Sequence, residues 1–232
     1  MRRFVLVRHG QSEFNAQNRF TGWVDSPLTA LGEAEARRAG DVLKAAGFRF
    51  DRIYSSVLTR CTESARIIRG QLAEPGLPII TSWRLNERHY GALQGLEKAE
   101  TTQRFGEPQV TLWRRSYNVR PPALDAQGNR DLVQDSRYAE LEAAHLPLTE
   151  SLADTVRRVL PYWTDEIAPA IRSGLSVLIV AHGNSIRALV KYLDNLSDAA
   201  IVDVNIPTGI PQVFELTDDM HPLRHYYLDD SQ

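Results

Sequence analysis

The chain has a single cysteine, Cys61, among 232 residues, so no disulfide can close within it. That suits a reducing compartment without proving one. Cys61 reads as a small buried side chain on a helix rather than as a nucleophile. Long apolar runs are also missing, and none approaches the ~20 residues of a membrane-spanning helix. The first apolar run, Phe4-Val5-Leu6-Val7, follows Arg2 and Arg3 but is too short for the core of a signal peptide. Nor does one charge dominate: 27 Lys and Arg face 29 Asp and Glu, a net charge of −2. No global basic field would therefore attract nucleic acid. The expectation is a soluble, cytoplasmic protein that binds neither nucleic acid nor membrane. Anion binding, if present, must come from local clusters of cations.

What is there is ordinary globular material, 43% hydrophobic and 24% charged. The length suits one larger α/β domain or two small ones, and no linker, repeat or low-complexity tract divides it, so residues 1–232 are read as one domain. Continuous apolar runs predict buried strands over residues 4–7 and 176–180, with further strands over 51–55, 77–81, 212–216 and 223–227. Helical composition and spacing predict helices over 31–46, 60–72, 96–105 and 184–193. A longer one is predicted over 149–171, with kinks or breaks at Pro161 and Pro169. Strands alternating with helices predict a three-layer α/β fold, a mainly parallel sheet flanked by helices. Residues 106–138 hold Pro108, Pro121, Pro122 and Gly128; Gln109 to Trp113 can form a helical turn, but most of the stretch reads as irregular, a long insertion of the functional kind.

Two of the buried runs end alike. Phe4-Val5-Leu6-Val7 passes into Arg8-His9-Gly10, and Val177-Leu178-Ile179-Val180 passes into Ala181-His182-Gly183. In open α/β sheets, ligands bind outside the carboxyl ends of strands. If the two strands are neighbours, their imidazoles face one cleft. Either histidine alone could be a satisfied structural residue; the pairing favours a site. Histidine can carry a phosphoryl group covalently when its attacking nitrogen is unprotonated. Such a group needs fixed cations and N–H donors around it. Arg8 can grip phosphate oxygens in a bidentate way, and a helix opening at Gly183-Asn184 would offer free N–H groups.

Leu6-Val7-Arg8-His9-Gly10 resembles the signature of the histidine phosphatase superfamily. Gln11-Ser12-Glu13-Phe14-Asn15, Asn18-Arg19-Phe20-Thr21-Gly22-Trp23 and Asn86-Glu87-Arg88-His89-Tyr90-Gly91 narrow the resemblance to the 2,3-bisphosphoglycerate-dependent phosphoglycerate mutases. So do Trp113-Arg114-Arg115, Leu148-Thr149-Glu150-Ser151-Leu152, Ala181-His182-Gly183-Asn184-Ser185 and Asn205-Ile206-Pro207-Thr208-Gly209. The match runs across nearly the whole chain.

The resemblance implies a phosphoglycerate mutase-like fold and interconversion of 3- and 2-phosphoglycerate through a phosphohistidine. It implies 2,3-bisphosphoglycerate as the primer, no metal, and a homo-oligomer, dimer or tetramer. His9 would be the nucleophile and Glu87 the general acid and base. Arg8, Arg60 and His182 would hold the transferring group. Ser12, Asn15, Thr21, Gly22, Tyr90, Lys98, Arg114, Arg115, Gly183 and Asn184 would bind cofactor and substrate. Read without the resemblance, Glu87 could be a surface ion-pair partner and Arg114-Arg115 a solvated charge pair. Phosphatases of the superfamily hand the phosphoryl group to water instead. A catalytically silent module that senses phosphorylated metabolites is the reading from a different class. His89, His145, His221 and His225 read as packing or surface histidines. Whether the tail, residues 228–232, covers the cleft is not legible.

Overall fold

The computed structural model describes residues 1–228; residues 229–232, the rest of the tail, lie outside the described residues. Six strands are present: β1 (Arg2–Arg8), β2 (Arg52–Ser55), β3 (Ile79–Thr81), β4 (Val177–Ala181), β5 (Gln212–Leu216) and β6 (Pro222–Tyr227). They form one sheet in the order β3-β2-β4-β1-β5-β6. The pairs β3–β2, β2–β4 and β4–β1 are parallel, while β5 and β6 join antiparallel. The expected mainly parallel α/β architecture is the one observed.

The strand alternation builds two cores. Phe4 and Leu6 of β1 point to one face, with Val177, Ile179 and Phe214. Val5 and Val7 point to the other, with Leu178, Val180 and Val213. Helices α2 (Ala30–Ala45) and α3 (Thr59–Gln71) cover the second face through Ala39, Leu43, Ala65 and Ile68. Helices α7 (Leu152–Tyr162), α8 (Ala168–Arg172) and α9 (Gly183–Leu193) cover the first through Val159, Ile171, Ile186 and Leu189. Every residue of β4 is buried, because both faces are roofed. Among the described residues no helix is long and apolar enough to cross a membrane.

The remaining helices are α1 (Glu13–Ala16), α4 (Lys98–Phe105), α5 (Glu107–Arg115) and α6 (Ala126–Gln134). The last two correct the reading of residues 106–138 as mostly irregular. Pro108 sits in the first turn of α5, where its missing N–H costs nothing, and Asp125 caps α6 by accepting from the Gly128 N–H at 2.8 Å. The long helix expected over 149–171 begins later, at Leu152, capped by Ser151. It runs into α8 through a π-helical segment, Trp163–Ile167, between the two prolines. A local shift of the hydrogen-bond ladder thus replaces the expected break.

Candidate active site

Parallel pairing of β1 with β4 places Arg8 opposite Ala181, so His9 and His182 follow side by side at the carboxyl ends. Their ring centroids are 4.9 Å apart, edge to face. The His9 Nδ1–H donates to the Gly10 carbonyl at 2.7 Å. A carbonyl can only accept, so Nδ1 carries the proton and Nε2 keeps its lone pair. Burial, then Arg60 and Arg8, hold the His9 pKa well below its ordinary value. The ring is therefore neutral at pH 7 with Nε2 free to attack. Gly10 is needed for close approach: a Cβ there would lie 2.0 Å from the Gly32 backbone oxygen at the start of α2.

The cleft over His9 has a volume of about 200 Å³. Arg8, Asn15, Thr21, Gly22, Arg60, Glu87, Tyr90, Lys98, Arg114, Arg115, Gly183 and Asn184 all line it. Two of the candidates from the sequence do not. Ser12 is buried as the N-cap of α1, its Oγ accepting from the Asn15 N–H at 3.3 Å, and so orients Asn15 from behind. His182 is fully buried behind His9, with Nε2 2.8 Å from Ser56 Oγ and 3.2 Å from Cys61 Sγ. Burial, Arg60 and His9 lower its pKa, so it too is neutral. Burial pushes the Cys61 thiol up to about 12, leaving it protonated.

Each lining group is fixed by backbone contacts. Arg8 Nη1 donates to the Ile206 carbonyl at 2.8 Å. Arg60, buried in α3, donates from Nη2 to the Gly22 carbonyl (2.7 Å) and from Nη1 to that of Val24 (3.0 Å). It thereby holds the loop that carries Thr21 and Gly22. Gly22 has φ +56°, and a Cβ there would meet Gln94 Oε1 at 2.2 Å. Glu87 is 9% exposed, which removes the surface ion-pair reading. Its Oε1 accepts from the N–H groups of Arg88 (2.7 Å) and Asn184 (3.3 Å), the latter in the first turn of α9. Tyr90 Oη accepts from Arg88 Nη2 at 3.0 Å and Asn184 Nδ2 at 3.3 Å. Val110 and Trp113 of α5 pack on Phe20 and Leu93, bringing Arg114 and Arg115 to the rim.

Sequence reasoning missed Arg187, and gave no role to Arg19, Phe20, Val204, Asn205 or Ile206, all of which line the cleft. Arg187 Nη1 donates to Asn184 Oδ1 at 2.9 Å and orients that amide. Burial, then Arg88, bring its pKa down to about 10, so it stays charged. A cation one turn into α9, followed by the apolar run Ala188-Leu189-Val190, was the available signal. Seven cations line the cleft against one carboxylate, Glu87. Only Arg19 has a carboxylate partner among the described residues, Glu97 at 3.2 Å. Of the histidines read as packing or surface residues, His89 is fully buried.

The family model of the histidine phosphatase superfamily (branch 1) matches residues 4–134 and 125–228. Similar solved structures include a mycobacterial glucosyl-3-phosphoglycerate phosphatase (25% identity, 100% of both chains, TM-score 0.76). A protein named mycobacterial hydrolase 1 is 25% identical over 97% of this chain and 96% of that chain, with TM-score 0.74. The α-ribazole phosphatase of Shigella flexneri shares the fold at 20% identity, over 98% and 96% of the two chains, with TM-score 0.71.

Proposed function

The chain belongs to branch 1 of the histidine phosphatase superfamily, and on that premise we propose that it is a 2,3-bisphosphoglycerate-dependent phosphoglycerate mutase. The observation that carries this reading is the charge of the cleft. Arg8, Arg60, Lys98, Arg114, Arg115 and Arg187 line it with no carboxylate partner among the described residues. A phosphomonoester carries about −1.5 to −2 at pH 7. Two of them on a glycerate carboxylate give an anion of about −4 to −5, which six cations balance and one phosphate would not. The motif-level resemblance across the chain adds to this.

His9 Nε2 attacks phosphorus as the bond to the leaving oxygen breaks, and Glu87 gives that oxygen a proton. In the return half, Glu87 takes the proton of the other hydroxyl. That oxygen attacks phosphorus, and the P–N bond returns its electron pair to Nε2. Arg8, Arg60, Asn15 and the Gly183-Asn184 end of α9 hold the group in transfer, and His182 acts through its contact with the His9 ring. Thr21, Gly22, Tyr90, Lys98, Arg114 and Arg115 hold the rest of the anion, with Ser12 acting through Asn15. Bound 2,3-bisphosphoglycerate supplies the phosphoryl group that primes His9, and no metal ion takes part. The proposal includes a cytoplasmic homo-oligomer, which sedimentation would check.

A second reading, hydrolysis of a phosphomonoester, draws on the similar structures named as phosphatases. Water would then accept the phosphoryl group from His9. Conversion of 3-phosphoglycerate to 2-phosphoglycerate, measured with and without added 2,3-bisphosphoglycerate and with EDTA, separates the two. The mutase reading expects isomerisation stimulated by the bisphosphate and indifferent to chelation. Release of inorganic phosphate without 2-phosphoglycerate would replace it with the hydrolytic one.

A further inference from the structure

Glu87 stands in a stretch without regular structure, after the turn Trp83–Leu85, yet an acid–base group must hold its place to a fraction of an ångström. What holds it is a buried ion pair between Arg158, outside every motif above, and Glu150, which stands in the Leu148–Leu152 motif with no role assigned to it. Arg158, on α7 and 6% exposed, meets Glu150 in a bidentate contact: Nε to Oε1 at 2.7 Å and Nη2 to Oε2 at 2.8 Å. The remaining donors of Arg158 close on the backbone that leads to Glu87. Nη1 donates to the carbonyls of Arg84 (2.8 Å), Asn86 (3.1 Å) and Trp83 (3.3 Å), and Nη2 to that of Glu87 itself (3.2 Å). Glu150 clasps the other side. Its Oε2 accepts from the His89 N–H at 2.8 Å, and its own N–H donates to the His89 carbonyl at 2.8 Å. Trp23 completes the cage, with Nε1–H on the Glu87 carbonyl at 2.6 Å. The Arg158 guanidinium also lies 5.5 Å from the Trp23 ring centroid.

We propose that Arg158, anchored by Glu150, is a positioning residue for Glu87: it fixes the backbone up to and including Glu87, while Glu150 holds His89 beyond it, so that the carboxylate meets the transferring oxygen. This rests on the acid–base reading of Glu87. A buried ion pair is a poor source of net stability, because desolvating both charges offsets their attraction. Six guanidinium hydrogen bonds, four to carbonyls and two to a carboxylate, by contrast, specify one backbone path, which a packed apolar side chain could not do.

The test is a double-mutant cycle on turnover. Arg158→Lys keeps the charge but loses the planar fork. We expect it to lower kcat by roughly 10²-fold, with KM for 3-phosphoglycerate changed less than about threefold. In a Glu87→Gln background the same substitution should cost less than about twofold, because the group it positions no longer moves a proton. Glu150→Gln, which keeps volume and one acceptor, should show the same pattern at about tenfold, and it carries the test should Arg158→Lys not fold at assay temperature. Equal losses in both backgrounds would show a general packing role and overturn the proposal, as would folded variants with wild-type kcat. Failure of the acid–base reading is separate. It appears as a Glu87→Gln single variant with near wild-type turnover, whatever Arg158 does.

Discussion

His9 and His182 lie edge to face, ring centroids 4.9 Å apart, because two parallel strands end in register one residue before each of them. Only His9 lines the cleft; His182 is buried behind it against Ser56 and Cys61. The asymmetry assigns the covalent role. His9→Asn should take up no acid-labile phosphate from 2,3-bisphosphoglycerate and lose nearly all turnover. His182→Asn should still become phosphorylated, more slowly. Peptide mapping of the labelled wild-type enzyme decides the matter, and label on His182 would reverse the assignment.

Glu87→Gln keeps the shape of the side chain and an acceptor for the Arg88 and Asn184 N–H groups. What it removes is the proton. A positioned carboxylate contributes typically about 10²–10⁴-fold to a proton-transfer step. We expect kcat to fall by that range with KM little changed, the pattern of an interaction made mainly in the transition state. Phosphorylation of His9 should slow by a similar factor, since the leaving oxygen needs the same proton. Stopped-flow quenching of the phosphoenzyme checks both halves.

Gly10→Ala should damage the fold as well as the site. Its Cβ would sit 2.0 Å from the backbone oxygen of Gly32, and the reciprocal Cβ at Gly32 would sit 2.0 Å from that of Gln11. Two backbones that touch cannot both relax. Overpacking of this kind costs typically about 1–3 kcal/mol. Urea unfolding should show a lower midpoint at unchanged slope, and an unchanged midpoint would mean the loop is looser than described.

The sheet and the His9–His182 pair were legible because β1 and β4 write their burial as unbroken apolar runs and end in the same dipeptide. Of α5 only a turn over Gln109–Trp113 was legible, and of α6 nothing, because Pro108 and Gly128 were counted as breakers. Their positions in a first turn, where proline lacks nothing and Asp125 can cap, reverse that meaning. Arg158 was invisible for another reason. Its carbonyl partners lie 71 to 75 residues earlier in the chain, and a backbone carbonyl has no letter in a sequence. Arg187 falls between these cases: its helix was read correctly, but a cation on it resembles any solvated side chain until Asn184 is seen accepting from it.

Acid should destabilise the protein before any carboxylate matters. His9, His182 and His89 are buried, and each has its pKa lowered chiefly by that burial. For His89 burial and then Arg158 bring it to about 3. In the unfolded chain each returns to about 6.5. Below that pH the unfolded state binds protons that the folded state refuses, so stability rises with pH across the window and falls as pH drops under 6.5. From His89 alone the loss between pH 7.5 and 5 is roughly 2 kcal/mol, at 1.36 kcal/mol per pH unit. His9 and His182 add to it with the same sign. Carboxylates act in a lower window. Burial opposes it, but the Arg120 hydrogen bonds hold Asp154 below the usual carboxylate range, and that contribution fades only as pH falls under about 4. A comparison at pH 7.5 and 5 therefore isolates the histidines. Urea unfolding at the two pH values should show the drop, and calorimetry in buffers of different ionisation enthalpy should show proton uptake on unfolding at pH 5. Equal stability at both, with no uptake, would mean that these imidazoles are solvated in the folded protein and that the neutral, attack-ready His9 is wrong.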